Sequence, residues 1–174
     1  MADMRDSIVA TARSLLESGG LTDWSIEKVA KGAGCAKGLV HYHFGTKDTL
    51  LARVMERLEF ERQERRLAAL SGKEGAESLD ALWSDLVEEV TGGGFGAWMD
   101  CLRYFGPRTG GPQAANDERL CAAAGRSLGV AEAELTEYAA LLGPALDGLQ
   151  FRLLGGEDPE RVREGFDRVW LGVL

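Results

Sequence analysis

The chain has three cysteines in 174 residues. Cys35, Cys101 and Cys121 form no Cys-x-x-Cys pair and no Cys/His ligand spacing. That excludes a disulfide framework and the common zinc spacings, and it points to a reducing cytosol. No window reaches about eighteen apolar residues, and Met1 to Asp6 lacks the basic-then-apolar order of a leader. Strand alternation is missing throughout. So are a nucleophile motif, a metal-ligand spacing and a Gly-x-x-x-x-Gly-Lys-Ser/Thr phosphate loop. The expectation is a soluble cytoplasmic all-α protein that is not an enzyme, with no cofactor, no metal and no membrane partner.

A further scarcity is local. The chain is acidic, with 28 Asp+Glu against 20 Lys+Arg and a net charge of -8, yet the twenty residues between Glu27 and Asp48 contain no acid. The same stretch holds Lys28, Lys31, Lys37, Lys47 and both histidines, where an even spread of acids would place about three. Up to Arg66 there are eleven Lys+Arg against ten Asp+Glu, and beyond it nine against eighteen. Net charge counts against blanket nucleic-acid binding, but clustered charge decides groove contact.

What is present is helical periodicity. Met4, Ile8, Val9, Ala12, Leu15 and Leu16 share a face that ends at Gly19-Gly20. Ser25 is a candidate N-cap for a second helix with Ile26, Val29 and Ala30 inward, broken at Gly32 to Gly34. A third helix is expected over about Ala36 to Tyr42, with Leu39 or Val40 and Phe44 inward and Lys37, His41 and Tyr42 or His43 outward. Gly45-Thr46 ends it and caps a long connecting helix, in which the charged run Glu59 to Arg66 reads as a solvated face. Leu79 to Val90 predicts a fifth helix. Thr91 to Gly96 is a glycine-rich break before Ala97 to Phe105, a helix apolar on nearly all sides. A loop over Pro107 to Asn116, a helix over Asp117 to Leu128, a long one over Ala131 to Leu154 kinked by Pro144, and a last one opening at Asp158-Pro159 complete the chain.

The segment from Ser25 to Leu50 has the parts of a helix-turn-helix. Gly34 allows a tight turn, Lys37 and Gly38 stand where the second helix first approaches the bases, and Lys47 opens another helix, itself a phosphate site. The run Lys-Gly-Leu-Val-His-Tyr-His-Phe followed by Thr-Lys-Asp resembles the DNA-binding domain of the tetracycline-repressor (TetR) family over about residues 5 to 55. The resemblance implies an N-terminal three-helix, homeodomain-like domain (1–52), joined through a long helix (47–70) to a helical effector-binding and dimerisation domain (53–174). It implies a homodimeric repressor of a double-stranded DNA operator, released by a small-molecule effector. Position by position, it implies phosphate contacts from Ser25, Lys37, Tyr42, His43 and Lys47, and bases facing Lys37, Gly38, Leu39 and His41. Ala36 departs from the Ser or Thr frequent there, which removes a hydroxyl for a phosphate contact or a cap.

In the C-terminal half, Trp83, Trp98, Met99, Leu102, Arg103, Phe105 and Tyr138 are candidate effector contacts; the alternative is that they are core. Arg103 and Asp100 supply polar anchors or a simple ion pair. Leu142, Leu146, Leu149 and Leu153, with Phe166, Val169, Trp170 and Val173, suit a four-helix interface of two helices per subunit; the alternative is an intrachain core. Gly148 would permit close approach. Rival functions are a helical enzyme or ligand-binding protein with a non-functional helix-turn-helix, and an activator on the same scaffold.

Overall fold

The computed structural model describes residues 3–106, 112–130 and 138–173, and among them there are nine helices and no strand. They are α1 (Met4–Gly19), α2 (Ile26–Gly32), α3 (Lys37–Phe44), α4 (Lys47–Leu70), α5 (Gly75–Thr91), α6 (Gly94–Phe105), α7 (Pro112–Leu128), α8 (Ala139–Leu154) and α9 (Pro159–Val173). The chain divides into two compact units, Met1–Phe60 with Gly92–Pro107, and Glu61–Thr91 with Arg108–Leu174. The chain passes between the units at 60/61 inside α4, and α6 groups with the N-terminal helices.

In the first unit, α1 buries Ile8, Ala12 and Leu16, and α2 buries Ile26, Val29 and Ala30. A Cβ on Gly32 would lie 2.7 Å from Thr11 Cγ2, so glycine there lets the end of α2 approach α1. The Trp24 indole N–H donates to the Ala12 carbonyl at 2.8 Å, which anchors the α1–α2 connection. The break before α6 is shorter than the sequence suggests. Gly93 has φ +83°, and a Cβ there would overlap the Glu17 carbonyl oxygen. Both the backbone conformation and the close approach demand glycine. With α6 laid on α1, Phe95, Ala97, Trp98 and Cys101 are buried. Burial, then the charges of Asp100 and Glu59, push the Cys101 thiol up to about 12, so it is an inert core side chain.

In the second unit, α8 packs against α7, α5 and α9. Its core joins Leu82, Leu86, Leu120, Leu142, Leu146, Val162, Phe166 and Trp170. Two expectations fail here. The run from Glu59 to Arg66 is not a solvated face: Arg62, Gln63 and Arg66 are buried. Arg62 meets Glu89 at 2.6 Å and Asp147 at 2.9 Å, and Arg66 meets Asp147 at 2.8 Å. Gln150 accepts from both guanidinium groups and donates to Glu89 Oε2 and the Leu86 carbonyl. Two cations and two anions with a bridging amide form a neutral, hydrogen-bonded cluster, which is the condition under which buried charge is tolerated.

The interface stripe is the second correction. Leu142, Leu146, Leu149, Phe166 and Trp170 are buried in their own unit, and Leu153 and Val169 pack against the same core. The Val173 side chain lies outside the described residues. Exposed on α8 instead are Leu141 (62 %), Phe151 (58 %) and Leu154 (44 %), with Gly148 open beside them. Periodicity alone could not choose between two apolar faces of one helix. Asp147 and Gln150, drawn inward by the arginines, set its rotation.

Helix α7 starts at Pro112 rather than Asp117, with proline at the first helical position, where its missing N–H costs nothing. Of the long helix expected over 131–154, the stretch from Ala139 is helical with Pro144 inside it, while 131–137, like 107–111, lie outside the described residues.

Candidate nucleic-acid interface

The helix-turn-helix is built by caps and one left-handed residue. The Ser25 hydroxyl accepts the Lys28 N–H at 3.2 Å, opening α2 as an N-cap does. Gly34 takes φ +67° in the turn, and α3 starts at Lys37, with Ala36 as an N-cap that makes no side-chain bond. The hydroxyl missing at Ala36 is therefore a missing cap as well. The third helix runs two residues beyond the expected end, to Phe44, before Gly45 at φ +71° closes it. Thr46 Oγ1 then accepts the Thr49 N–H at 3.1 Å, capping α4 as expected.

Val40 and Phe44 are the buried residues of α3, which settles the choice between Leu39 and Val40: Leu39 is half-buried at the edge. Lys37, Gly38, His41 and Tyr42 are exposed, and Tyr42 is 82 % so. His43 is half-buried, with its ring 5.3 Å from that of Tyr42 and 6.3 Å from that of Phe44. A Cβ at Gly38 would meet nothing within 4 Å, so glycine leaves the α3 backbone open rather than filling a tight fit. His41 Nδ1 lies 3.0 Å from the Gly45 carbonyl, which fixes the ring and leaves Nε2 outward.

Lys47, the first residue of α4, has its ammonium 5.5 Å from the Trp24 ring centre and 5.8 Å from that of Tyr104. Two aromatic faces steady the cation without neutralising it. Two further contacts were not legible beforehand. Lys37 Nζ is paired with Glu27, and that hydrogen bond, the Glu27 backbone and the lysine's charge hold the Glu27 carboxyl below its ordinary range. The Tyr104 hydroxyl donates to Asp48 at 2.6 Å, which pushes the phenol up. The Asp100 carboxylate in turn accepts the Leu21 N–H at 2.8 Å, so Asp100 ties α6 to the α1–α2 turn and Tyr104 ties it to α4. The signal available was that Asp100 and Arg103 are the only charges on α6. Their own pair is loose, 3.8 Å, with Arg103 mostly exposed.

The seven residues expected at an effector site divide between the units. Trp98 is buried beside Phe95 at 5.7 Å, and Met99 and Leu102 are half-buried while Arg103 and Phe105 are exposed. All five belong to the first unit, where the apolar face of α6 is used against α1. In the second unit, Trp83 packs on Phe166 at 5.5 Å with Arg163 over its ring, and Tyr138 packs against the core.

Taken together, a short helix presenting a lysine, a histidine, a tyrosine and open backbone, braced by a capped helix and flanked by a lysine-led helix N-terminus, has the parts of a helix-turn-helix that binds DNA. Comparison with known proteins agrees. Residues 8–54 match the family described as bacterial regulatory proteins, tetR family. The chain is 28% identical over 178 residues to the HTH-type transcriptional regulator BetI of Stenotrophomonas maltophilia, covering 93% of this chain and 90% of that one. It is 36% identical over 56 residues to the regulator EthR of Mycobacterium tuberculosis, 32% of this chain and 26% of that one. The fold is shared with a TetR-family regulator from Pectobacterium atrosepticum, at TM-score 0.73 and 24% identity over 98% of this chain and 93% of that one. It is shared too with one from Streptomyces coelicolor, at TM-score 0.67 and 23% identity over 99% and 100%. The chain thus carries a tetR-family DNA-binding segment over residues 8–54 and shares its fold with solved TetR-family regulators.

Proposed function

We propose that the protein is a one-component repressor that binds a pseudo-palindromic operator as a homodimer and is released by a small-molecule effector. The observation that carries the DNA part is the exposed side of α3: Lys37, Gly38, His41 and Tyr42 are outward while Val40 and Phe44 anchor the helix inside. Lys37 and His41 read base edges, with Leu39 at the margin and Gly38 allowing the α3 backbone near them. Ser25, Tyr42, His43 and Lys47 hold the phosphates.

A second observation supports the dimer. Leu141, Gly148, Phe151 and Leu154 are exposed apolar positions on α8 where a two-fold contact would join two copies, and an operator with half-sites one helical turn apart takes two α3 helices about 34 Å apart. An effector taken up by the second unit would act through the chain crossings at 60/61 within α4 and 91/92 before α6, changing that spacing and with it DNA affinity.

The test is fluorescence-anisotropy titration of DNA duplexes at several salt concentrations. Lys47→Ala is expected to weaken binding to every sequence and flatten the salt slope by about one unit. Lys37→Ala is expected to relax base preference as well. Equal loss on every sequence in both variants would remove Lys37 from base readout.

A further inference from the structure

The second unit carries eleven Lys+Arg against nineteen Asp+Glu, so a basic side chain there has acids close at hand. Arg62, Arg65, Arg66, Arg152 and Arg163 are all engaged in ion pairs. Lys73 and Arg126 are not, since neither makes an ion pair or side-chain hydrogen bond among the described residues. Both line a cavity of about 660 Å³ between the last turn of α4, the turn at 71–74 and α7.

The floor of that cavity is apolar, made by Leu67, Leu70, Ala122 and Ala123. The Ser127 hydroxyl, 3.0 Å from the Leu70 carbonyl and 3.1 Å from that of Ala123, holds α7 against the end of α4 and satisfies a carbonyl that the helix end leaves without a partner. At the rim, Arg119 is taken by Glu64 at 3.0 Å, and Glu74 is the one acid in the lining. Two unengaged cations over an apolar floor, in a cavity of the size that holds small ligands, select for negative charge at one end of a ligand and hydrocarbon at the other.

We infer that this cavity binds an amphiphilic carboxylate, with its carboxylate between Lys73 and Arg126 and its hydrocarbon body on Leu67, Leu70, Ala122 and Ala123. The inference rests on the reading that the second unit receives the effector, and it names the effector's chemical class. Arginine can hold a carboxylate bidentately and lysine adds a point charge, so the anion is favoured over a neutral molecule of the same length.

The test is calorimetric titration of the full-length protein with decanoate and with decan-1-ol, on the wild type and on a Lys73→Gln, Arg126→Gln double variant. Arg126 is exposed and Lys73 half-buried, and a melting curve checks that the variant is folded. The expected result is that decanoate binds the wild type and loses about tenfold or more in the variant, while decan-1-ol does not distinguish the two proteins. Equal decanoate affinity in both proteins overturns the assignment, as does the absence of decanoate binding to the wild type. A labelled duplex is titrated separately with saturating decanoate. If the charge-dependent binding holds and the duplex stays bound, the cavity assignment stands and the release reading of the second unit falls.

Discussion

The Asp100 carboxylate accepts the backbone N–H of Leu21 at 2.8 Å, joining α6 to the turn between α1 and α2 across seventy-nine residues of sequence. The bond is charge-assisted and only partly exposed, so its loss leaves the Leu21 N–H without a partner. Asp100→Ala is expected to cost about 1 to 2 kcal/mol, read as a fall in the thermal midpoint, and Asp100→Asn, which keeps an acceptor, about half of that. An alanine variant that melts with the wild type would show that α6 is held by its apolar face alone.

In the proposed DNA complex Glu27 would compete with DNA for Lys37, with which it is paired in the free protein. The pair is exposed and contributes little to stability, but the lysine must exchange the carboxylate for a phosphate or a base edge on binding. Glu27→Gln is expected to tighten duplex binding about two- to fivefold at about 0.1 M salt, measured by anisotropy. Unchanged or weaker binding would mean that Glu27 positions Lys37 rather than masking it.

The buried cluster of Arg62, Arg66, Glu89, Asp147 and Gln150 makes a different kind of prediction. Arg62→Met strands Glu89 and Asp147 without their shared cation, and the expected loss is about 3 to 5 kcal/mol, read from the urea midpoint. A loss under about 1 kcal/mol would mean that water or the remaining arginine compensates.

Two aspartates near this cluster respond to acid in opposite senses. Burial alone would push the Asp147 carboxyl up, but the Arg62 and Arg66 guanidinium groups prevail and hold it below the ordinary carboxylate range. Its stabilisation is complete above the unfolded value, about 3.9, and is lost as pH falls below that. Asp117 is pushed up, first by burial and then by the charge of Asp147, with Arg66 pulling the other way. A raised acid binds more protons folded than unfolded, so it weakens the fold at neutral pH, and the penalty fades as pH falls through its raised value. Asp117→Asn is expected to raise the melting temperature at about pH 7 and to gain less than the wild type on going to about pH 5. Identical pH profiles for the two proteins would contradict this.

How much of this was legible follows from where the information lies. Caps, glycines and inward residues of α1 to α3 are local, and Ser25, Gly34, Thr46 and Phe44 sit where sequence reasoning puts them. The side of α3 left exposed follows from Val40 and Phe44 being buried. What sequence could not give was partnership at long range. The pairing of Arg62 with Asp147 spans eighty-five residues, and without it Glu59 to Arg66 looks like any charged helix surface. The same pairing rotates α8, which is why Leu142, Leu146 and Leu149 face the core and Leu141, Phe151 and Leu154 do not. Composition also does not show that Trp98 is buried and Trp83 half-buried against Phe166.

The exposed α8 face is the next point of leverage. Phe151→Glu places a charge on it without touching the core, and sedimentation velocity is expected to show a dimer for the wild type and a monomer for the variant. A variant that remains dimeric would move the interface elsewhere.

The central claim is sequence-specific binding through α3, and its most direct measurement is selection of duplexes from a random pool by the full-length protein. The account predicts enrichment of a pseudo-palindrome with half-site centres about ten base pairs apart, and loss of that enrichment, with residual non-specific binding, for Lys37→Ala. A pool that stays random after repeated rounds with the wild type at low salt would contradict it.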